Sequence, residues 1–177
     1  RDVYGAMIET ALEAEQVDIS RLRRIAGPNP WCRIRHEGND RVFAGSIAGV
    51  RGRYDLTEED GAWIGGFDVA HTSVSSDLDE QLGFLSNHAR LLAYDYSDRW
   101  NRPEVERTFA HVDIAFLSFA QGSDAECEAL ARRLLDQGVS TAAVITRGAR
   151  GSCALHGGRF VTETIRPAVV VDTLGAG

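Results

Sequence analysis

The sequence has little of what marks several protein classes. It has three cysteines among 177 residues and no C-x-x-C pair, so a disulfide framework is not indicated. Its five histidines are scattered without an H-x-x-x-H pair, which gives no support to a metal site built on them. We expect reduced, mostly buried thiols and a cytoplasmic protein.

Long apolar runs and an excess of basic residues are also missing. No stretch approaches the roughly 18 apolar residues that span a bilayer, and the first residues show no signal-peptide pattern. The 19 basic residues are outnumbered by 26 acidic ones, so the net charge is −7. We therefore expect neither nucleic-acid nor membrane binding. The lack of an early G-x-G-x-x-G after a first strand argues against a dinucleotide-dependent oxidoreductase.

The sequence does contain a regular alternation of apolar strands and helical segments. Strands are predicted at 67–71, 91–94, 112–117, 139–146 and 168–171, and helices at 3–15, 77–89 and 123–138. This alternation predicts an α/β fold whose mostly parallel sheet is doubly wound, with helices on both faces. Capping boxes are predicted at Thr57 and Ser123, and Asp77 is predicted to cap a helix.

Residues 31–50 have a different character. Apolar and polar residues alternate from Trp31 to His36, a Gly-Asn-Asp turn follows, and the chain then returns. We predict a β-hairpin lid with one wet face, within a single incomplete α/β domain of residues 1–177. An apolar face on such a lid could also pair with a second copy and form a homodimer.

The carboxyl ends of parallel strands are where ligands bind in such sheets. One predicted strand leads directly into residues 172–177, Asp-Thr-Leu-Gly-Ala-Gly. Small residues let backbone amides approach an anion closely, and a helix that began there would add positive potential. A simple glycine turn explains the same residues equally well, so this motif alone leaves both interpretations open.

Two motifs together resemble those of the ribokinase-like (PfkB) carbohydrate kinases. Residues 172–177 resemble that family's Asp-Thr-x-Gly-Ala-Gly-Asp, and residues 146–151 resemble its Thr-x-Gly-x-x-Gly turn. The separation of the two motifs also fits. A narrower resemblance, to the fructoselysine 6-kinases of that family, covers nearly the whole chain and is carried by residues 17–20, 38–43, 56–63, 67–71 and 94–100.

The resemblance implies a role for particular residues. It implies an anion hole at Gly175, Ala176 and Gly177, nucleotide contacts from Thr146, Gly148 and Gly151, and a monovalent-cation site for K⁺ at Asp172 and Leu174. It implies substrate contacts from Arg33, Arg35, Arg41, His71, Asp95 and Arg99. The implied cofactors are ATP and Mg²⁺. For His71, a satisfied core histidine is an equally good interpretation.

Two departures from the family pattern bear on the chemistry. The family's Asn-x-x-Glu, which organises Mg²⁺ through water, is replaced by Ser118 and Gln121, and a glutamine cannot supply the carboxylate charge. The chain also stops before the aspartate expected after Gly177, which would be the general base. We therefore expect this chain to be an internal piece of a kinase and to be inactive alone.

The function that the resemblance implies is ATP-dependent phosphorylation of a hydroxyl on a sugar or sugar-amine. A fructosamine such as fructoselysine is the favoured substrate, with a hexose, pentose or nucleoside as the alternative. A rival is a non-catalytic ligand-binding or assembly protein that kept the kinase fold. The residue after Gly177 would discriminate, since an aspartate there favours the enzyme.

Overall fold

The chain divides into two compact units, Arg1–Tyr54 and Asp55–Gly177. The computed structural model describes residues 2–37, 40–51 and 54–166, and at positions 36–37 and 40–41 it describes the backbone. The strand predicted at 168–171 and the motif at 172–177 lie outside the described residues. Among those described, no helix combines the length and the apolarity needed to cross a bilayer.

The described residues of the first unit form one α-helix and one hairpin. Helix α1 (Val3–Ala14) is followed by the antiparallel strands β1 (Trp31–Glu37) and β2 (Asp40–Ile47), which confirms the predicted hairpin. Its role as a lid stays a prediction. A β-bulge lies between Arg33 and Ile34, and it shifts the side-chain alternation by one residue.

Helix α1 differs from the prediction in the face that it buries. The helical spacing of Ile8, Ala11 and Leu12 predicts that these residues share a buried apolar face, but Ile8 is 47% exposed, whereas Glu9 is buried. Glu9 can be buried because its carboxylate accepts a hydrogen bond from Arg24 Nε at 2.9 Å. At the start of the helix, the carboxylate of Asp2 accepts hydrogen bonds from the backbone amides of Gly5 and Asn29, both at 2.9 Å.

The described residues of the second unit form a six-stranded sheet. Its strands are β3 (Ala70–Ser73), β4 (Leu92–Asp95), β5 (Ile114–Ser118), β6 (Ala142–Thr146), β7 (Ser152–His156) and β8 (Arg159–Glu163). They pair in that order; β3 to β6 are parallel, while β7 and β8 form an antiparallel hairpin on β6. The predicted α/β class with a mostly parallel sheet is confirmed.

Four α-helices accompany this sheet among the described residues, and α5 covers one of its faces. The helices of the second unit are α2 (Glu58–Ile64), α3 (Leu82–His88), α4 (Pro103–Glu106) and α5 (Asp124–Asp136). The apolar side of α5, which includes Leu130 and Leu134, packs on β6 and β7, where Ile145 and Leu155 are buried. The capping boxes predicted at Thr57 and Ser123 are both present, at the starts of α2 and α5.

One local prediction in this unit is shifted along the chain, and another is wrong. The strand predicted at 67–71 forms later, as β3, because the chain still turns at Phe67, whose ring packs edge-on against Trp63. Asp77 does not cap a helix: its φ is +55°, and the 3-10 helix Asp79–Gln81 begins after Leu78 without a side-chain cap. A left-handed residue reverses the chain direction, so its carboxylate is not presented to the first helical turn.

Candidate active site

The carboxyl ends of the four parallel strands meet at one edge of the second unit. Each loop that leaves this edge is hydrogen-bonded to the next. Val74 N donates to Asp95 O at 2.9 Å, Ser118 N donates to Ser97 O at 2.8 Å, and Phe119 N donates to Thr146 O at 2.9 Å. These bonds extend the sheet ladder into the loops, so the loops after β3, β4, β5 and β6 form one continuous rim, which we call the carboxyl rim.

Asp95 reaches the rim because its two neighbours are buried on the opposite face of the sheet. Tyr94 and Tyr96 are fully buried, their tilted rings are in contact with centroids 4.6 Å apart, and the Tyr94 hydroxyl donates to Asp79. Burial raises the pKa of both tyrosines well above the ordinary value, so their hydroxyls stay protonated. Strand alternation then directs Asp95 to the other face.

The turn after Asp95 has an unusual backbone. Ser97 adopts a left-handed conformation with φ at +52°, and its amide donates to the Asp95 carboxylate at 2.8 Å. Asparagine tolerates this region far better than serine. Residues 95–99 resemble the family pattern Asp-x-Asn-x-Arg, with Ser97 in place of the asparagine, and the hydrogen bond to Asp95 stabilises Ser97 in this conformation.

The loop after β5 is attached to its neighbours by polar contacts on both sides. The indole Nε1 of Trp100 donates to Ser118 O at 2.9 Å, and the Trp100 ring packs on Phe119 with centroids 5.2 Å apart. The Ser118 and Thr146 hydroxyls lie 3.2 Å apart. Trp100 therefore has a packing role here.

The turn after β6 carries the residues predicted to contact a nucleotide. Thr146 ends the strand, the 3-10 turn Gly148–Arg150 follows, and Gly151 leads into β7. Gly148 has φ at +57°, and no heavy atom would lie within 4 Å of a side chain placed there. This turn therefore presents bare backbone to open space, which suits the close approach of a phosphate.

Arg147 is the rim residue that our reading of the sequence missed. It is 5% exposed, and its Nη1 donates to the carboxylate of Asp124 in the first turn of α5. Strand alternation could have indicated its position, because Ala143 and Ile145 are buried and Arg147 follows on the same face. Nothing in the composition distinguishes it from the other arginines.

The remaining predicted site residues are not all brought to the rim. Arg99 follows the Ser97 turn, where its amide donates to Tyr96 O at 3.0 Å. His71 lies in the middle of β3, exposed, with its ring 5.9 Å from that of Phe116. Arg33 and Arg35 lie on β1 of the first unit, and Arg33 stands over the Trp31 ring at 5.8 Å.

Several predicted residues fall where the structure gives no side-chain description. The side chain of Arg41 is not described, although its backbone belongs to β2. Asp172, Leu174, Gly175, Ala176 and Gly177 lie outside the described residues. The anion hole and the monovalent-cation site therefore stay predictions.

The described rim residues fit a nucleotide better than they fit a metal cage. Within residues 2–37, 40–51 and 54–166, no three His, Cys, Asp or Glu side chains are grouped closely enough to hold a metal ion. Asp95 offers one carboxylate at the rim, whereas Ser118 and Gln121 offer neutral oxygens. Magnesium that is bound mainly by phosphates and water needs only one or two protein carboxylates, so this donor set is compatible with a magnesium nucleotide.

The sequence is similar to carbohydrate kinases along its whole length. The model of the pfkB family carbohydrate kinases matches residues 1–177. The chain is 31% identical over 176 residues to the fructoselysine 6-kinase of Escherichia coli. This alignment covers 99% of this chain and 67% of that protein. It is 32% identical over 180 residues to a fructosamine kinase of Bacillus subtilis, covering 99% of this chain and 63% of that protein.

Solved structures agree in fold. A ribokinase from Giardia lamblia superposes with a TM-score of 0.78 at 16% identity, covering 99% of this chain and 60% of that one. A fructokinase from Vibrio cholerae, solved with fructose, ADP and calcium ion, superposes with a TM-score of 0.66 at 18% identity over 64% of its length. The chain thus spans 67% and 63% of the lengths of these two relatives, and 60% and 64% of the lengths of these two structures.

Proposed function

The chain belongs to the pfkB family of carbohydrate kinases, and on that premise we propose that the full-length protein phosphorylates a sugar or sugar-amine hydroxyl with ATP. The favoured substrate is a fructosamine of the fructoselysine type. What supports the narrow choice is 31% identity to a fructoselysine 6-kinase over 99% of this chain. A plain hexose, pentose or nucleoside is the alternative.

The observation that carries the proposal is the continuous carboxyl rim. Phosphoryl transfer needs little covalent help from a protein and depends on positioning and on stabilising charge. The rim supplies hydroxyls at Ser118 and Thr146, a carboxylate at Asp95 and open backbone at Gly148, all on loops hydrogen-bonded to one another. A rigid rim of this kind holds a nucleotide without reorganising.

Each residue then has a proposed role. The Thr146 hydroxyl and the Gly148 and Gly151 backbone face the nucleotide phosphates. The amides of residues 175–177 form the anion hole for the transferred group, as the family resemblance implies. When bound, Mg²⁺ neutralises charge on the phosphates, and K⁺ at Asp172 and Leu174 is part of the same proposal.

The substrate side of the site would use the arginines of the hairpin. A fructosamine derived from an amino acid carries a carboxylate that a plain sugar lacks, and a guanidinium binds a carboxylate with two parallel hydrogen bonds. We propose that Arg33, Arg35 or Arg41 makes this contact, while His71, Asp95 and Arg99 contact sugar hydroxyls or the phosphates.

The test is to assay the full-length protein with ATP against fructosamines and free sugars. We expect turnover of fructoselysine, and a loss of roughly tenfold in its kcat/KM when the carboxylate-binding arginine is changed to glutamine. The same change should leave turnover of a free sugar unaltered. Arg132→Gln is the matched control, because Arg132 lies exposed on α5.

A second pair of variants tests the nucleotide side. Thr146→Val removes the rim hydroxyl, and we expect kcat/KM for ATP to fall roughly tenfold, the value of one hydrogen bond to a charged group. Thr162→Val, on the exposed strand β8, should change nothing. Turnover of a plain sugar but of no fructosamine would defeat the narrow assignment. If ATP binds but nothing is phosphorylated, the non-catalytic rival suggested by Gln121 is favoured.

A further inference from the structure

Arg147 is a buried cation next to the proposed nucleotide turn. It follows Thr146 at the end of β6, and its side chain points to the face of the sheet that α5 covers, where it is 5% exposed. The sequence contains no lysine, so every fixed cation of this chain is a guanidinium. Of these, Arg147 is the one that is buried among the described residues.

A single described carboxylate neutralises this charge. Nη1 of Arg147 donates to Asp124, whose side chain remains 65% exposed, while Nε is buried without a hydrogen-bond partner among the described residues. The Asp124 contact raises the pKa of Arg147. Cys127 and Cys153 are also nearby, but burial raises the pKa of Cys153 to about 12, so that thiol is neutral.

Stability does not explain the presence of a charge here. Removing a guanidinium from water is unfavourable, and well-packed apolar replacements of buried ion pairs are often neutral or stabilising. The neighbouring buried residues on this face, Ile145, Cys127 and Cys153, are apolar or weakly polar. A methionine or leucine would fill the same space at lower cost, so the distinctive contribution of Arg147 is a directional bond.

That bond joins two rim loops at their base. Asp124 follows the loop at 119–123, and Arg147 begins the turn at 147–151. The same two segments are linked above by Phe119 N donating to Thr146 O at 2.9 Å and by Arg150 Nη1 donating to Gln121 O at 3.2 Å. The two segments are therefore joined both at the buried Arg147 and at the exposed Arg150.

We propose that Arg147 is a positioning residue: by holding Asp124, it fixes the turn at 147–151 against the loop at 119–123 and so orients Thr146 and Gly148 toward the nucleotide. Arg147 itself touches no reacting group. The kinetic part of this inference rests on the proposed kinase function, whereas the structural part does not.

The test uses the full-length protein and the variants Arg147→Met, Arg147→Lys and Asp124→Asn. For Arg147→Met we expect an unchanged or higher denaturation midpoint, faster amide hydrogen exchange at 147–151, and a KM for ATP raised roughly tenfold with the sugar KM unaltered. Lysine keeps the charge but loses the planar fork, so it should restore only part of the ATP affinity. Arg132→Met, which removes an exposed pair with Glu128 on α5, is the control.

Each outcome decides the matter. Wild-type exchange at 147–151 and a wild-type KM for ATP in Arg147→Met would overturn the positioning role, even while the parent enzyme remains active. If Arg147→Met does not fold, Asp124→Asn decides, since it alters an exposed side chain and should loosen the same turn. If the full-length protein phosphorylates nothing, the proposed function fails. The hydrogen-exchange measurement alone then tests whether Arg147 positions the turn at 147–151.

Discussion

The two units of this chain are held together in different ways. Every buried hydrophobic side chain of the described residues lies in the second unit, from Val74 to Leu155. In the first unit the described buried residue is the charged Glu9, and α1 instead exposes Val3, Met7 and Ile8 by 67%, 62% and 47%. Apolar composition alone therefore does not create a core, because a second layer must cover the apolar face.

Polar contacts take the place of a core in the first unit. Asp2 accepts from the amides of Gly5 and Asn29, and Glu9 pairs with Arg24. Such contacts fix geometry well but contribute about 1 kcal/mol each, less than a fully buried leucine. The stability of the second unit should therefore depend mainly on buried side-chain volume, whereas that of the first unit should depend mainly on its hydrogen bonds.

The largest expected effect is a truncation in the second unit. Leu134 on α5 is fully buried, so Leu134→Ala should lower the free energy of unfolding by about 2–5 kcal/mol. Met7 on α1 is 62% exposed, so Met7→Ala should change it by no more than about 0.5 kcal/mol. Urea denaturation of both variants measures this difference.

If Leu134→Ala and Met7→Ala lower the free energy of unfolding equally, the contrast between a buried core in the second unit and an exposed α1 in the first is wrong. A costly Met7→Ala would mean that something covers α1 in solution, because an exposed methionine has little packing to lose. The full-length protein and this chain should then be compared, since a covering segment would act only where it is present.

A smaller effect is expected from a glycine at the rim. Gly151 has φ at +85° and ψ at −140°, and a methyl group there would lie 2.0 Å from Glu163 O. Gly151→Ala should therefore cost more than about 2 kcal/mol. Gly157 also has a positive φ, +55°, but nothing lies within 4 Å, so Gly157→Ala should cost about 1–2 kcal/mol from backbone strain alone.

The two glycine variants separate steric conflict from strain. If both cost the same in thermal or urea unfolding, the close approach of β8 to Gly151 does not exist in solution. If Gly151→Ala costs more, as we expect, the returning strand β8 fixes the turn at 147–151 at its Gly151 end.

Much of the second unit is predictable because its signals are local. The Ser123 and Glu126 capping box, the apolar stripe of α5 and the Gly157-Gly158 turn each specify their own element. Four parallel strands then bring their carboxyl ends to one edge by geometry, so Asp95 and Thr146 could be assigned to a common rim from the sequence alone.

What could not be predicted depends on contacts between distant residues. The burial of Arg147 requires Asp124, which lies 23 positions away along the chain. Glu9 is buried on α1 because it pairs with Arg24, so the spacing of apolar residues predicted the wrong buried face for this helix. Asp77 matched a cap pattern, but its left-handed backbone follows from how the chain turns out of β3. Local periodicity carries no information about any of these.

The smallest expected effects concern pH, and they have opposite signs in the two units. In the first unit, amide donors from Gly5 and Asn29 hold the pKa of Asp2 near 2, below its ordinary 3.8. A lowered pKa stabilises the fold above the unfolded value, and that stabilisation is lost as the pH falls through about 2. In the second unit, the Phe84 carbonyl, with Glu58 beside it, raises the pKa of His88 above 6.5. That contribution is complete below 6.5 and is lost as the pH rises through the folded value.

NMR titration of the two regions can distinguish these responses. Acid should perturb the Gly5 and Asn29 amides, and Asp2→Asn should abolish that acid transition because the amide side chain does not ionise. Raising the pH above 6.5 should instead perturb the contact between α2 and α3, where His88 packs against Gly61, and His88→Gln should remove this dependence. A single transition shared by both units would contradict the separation, since it would mean that the polar contacts of the first unit and the core of the second unfold together.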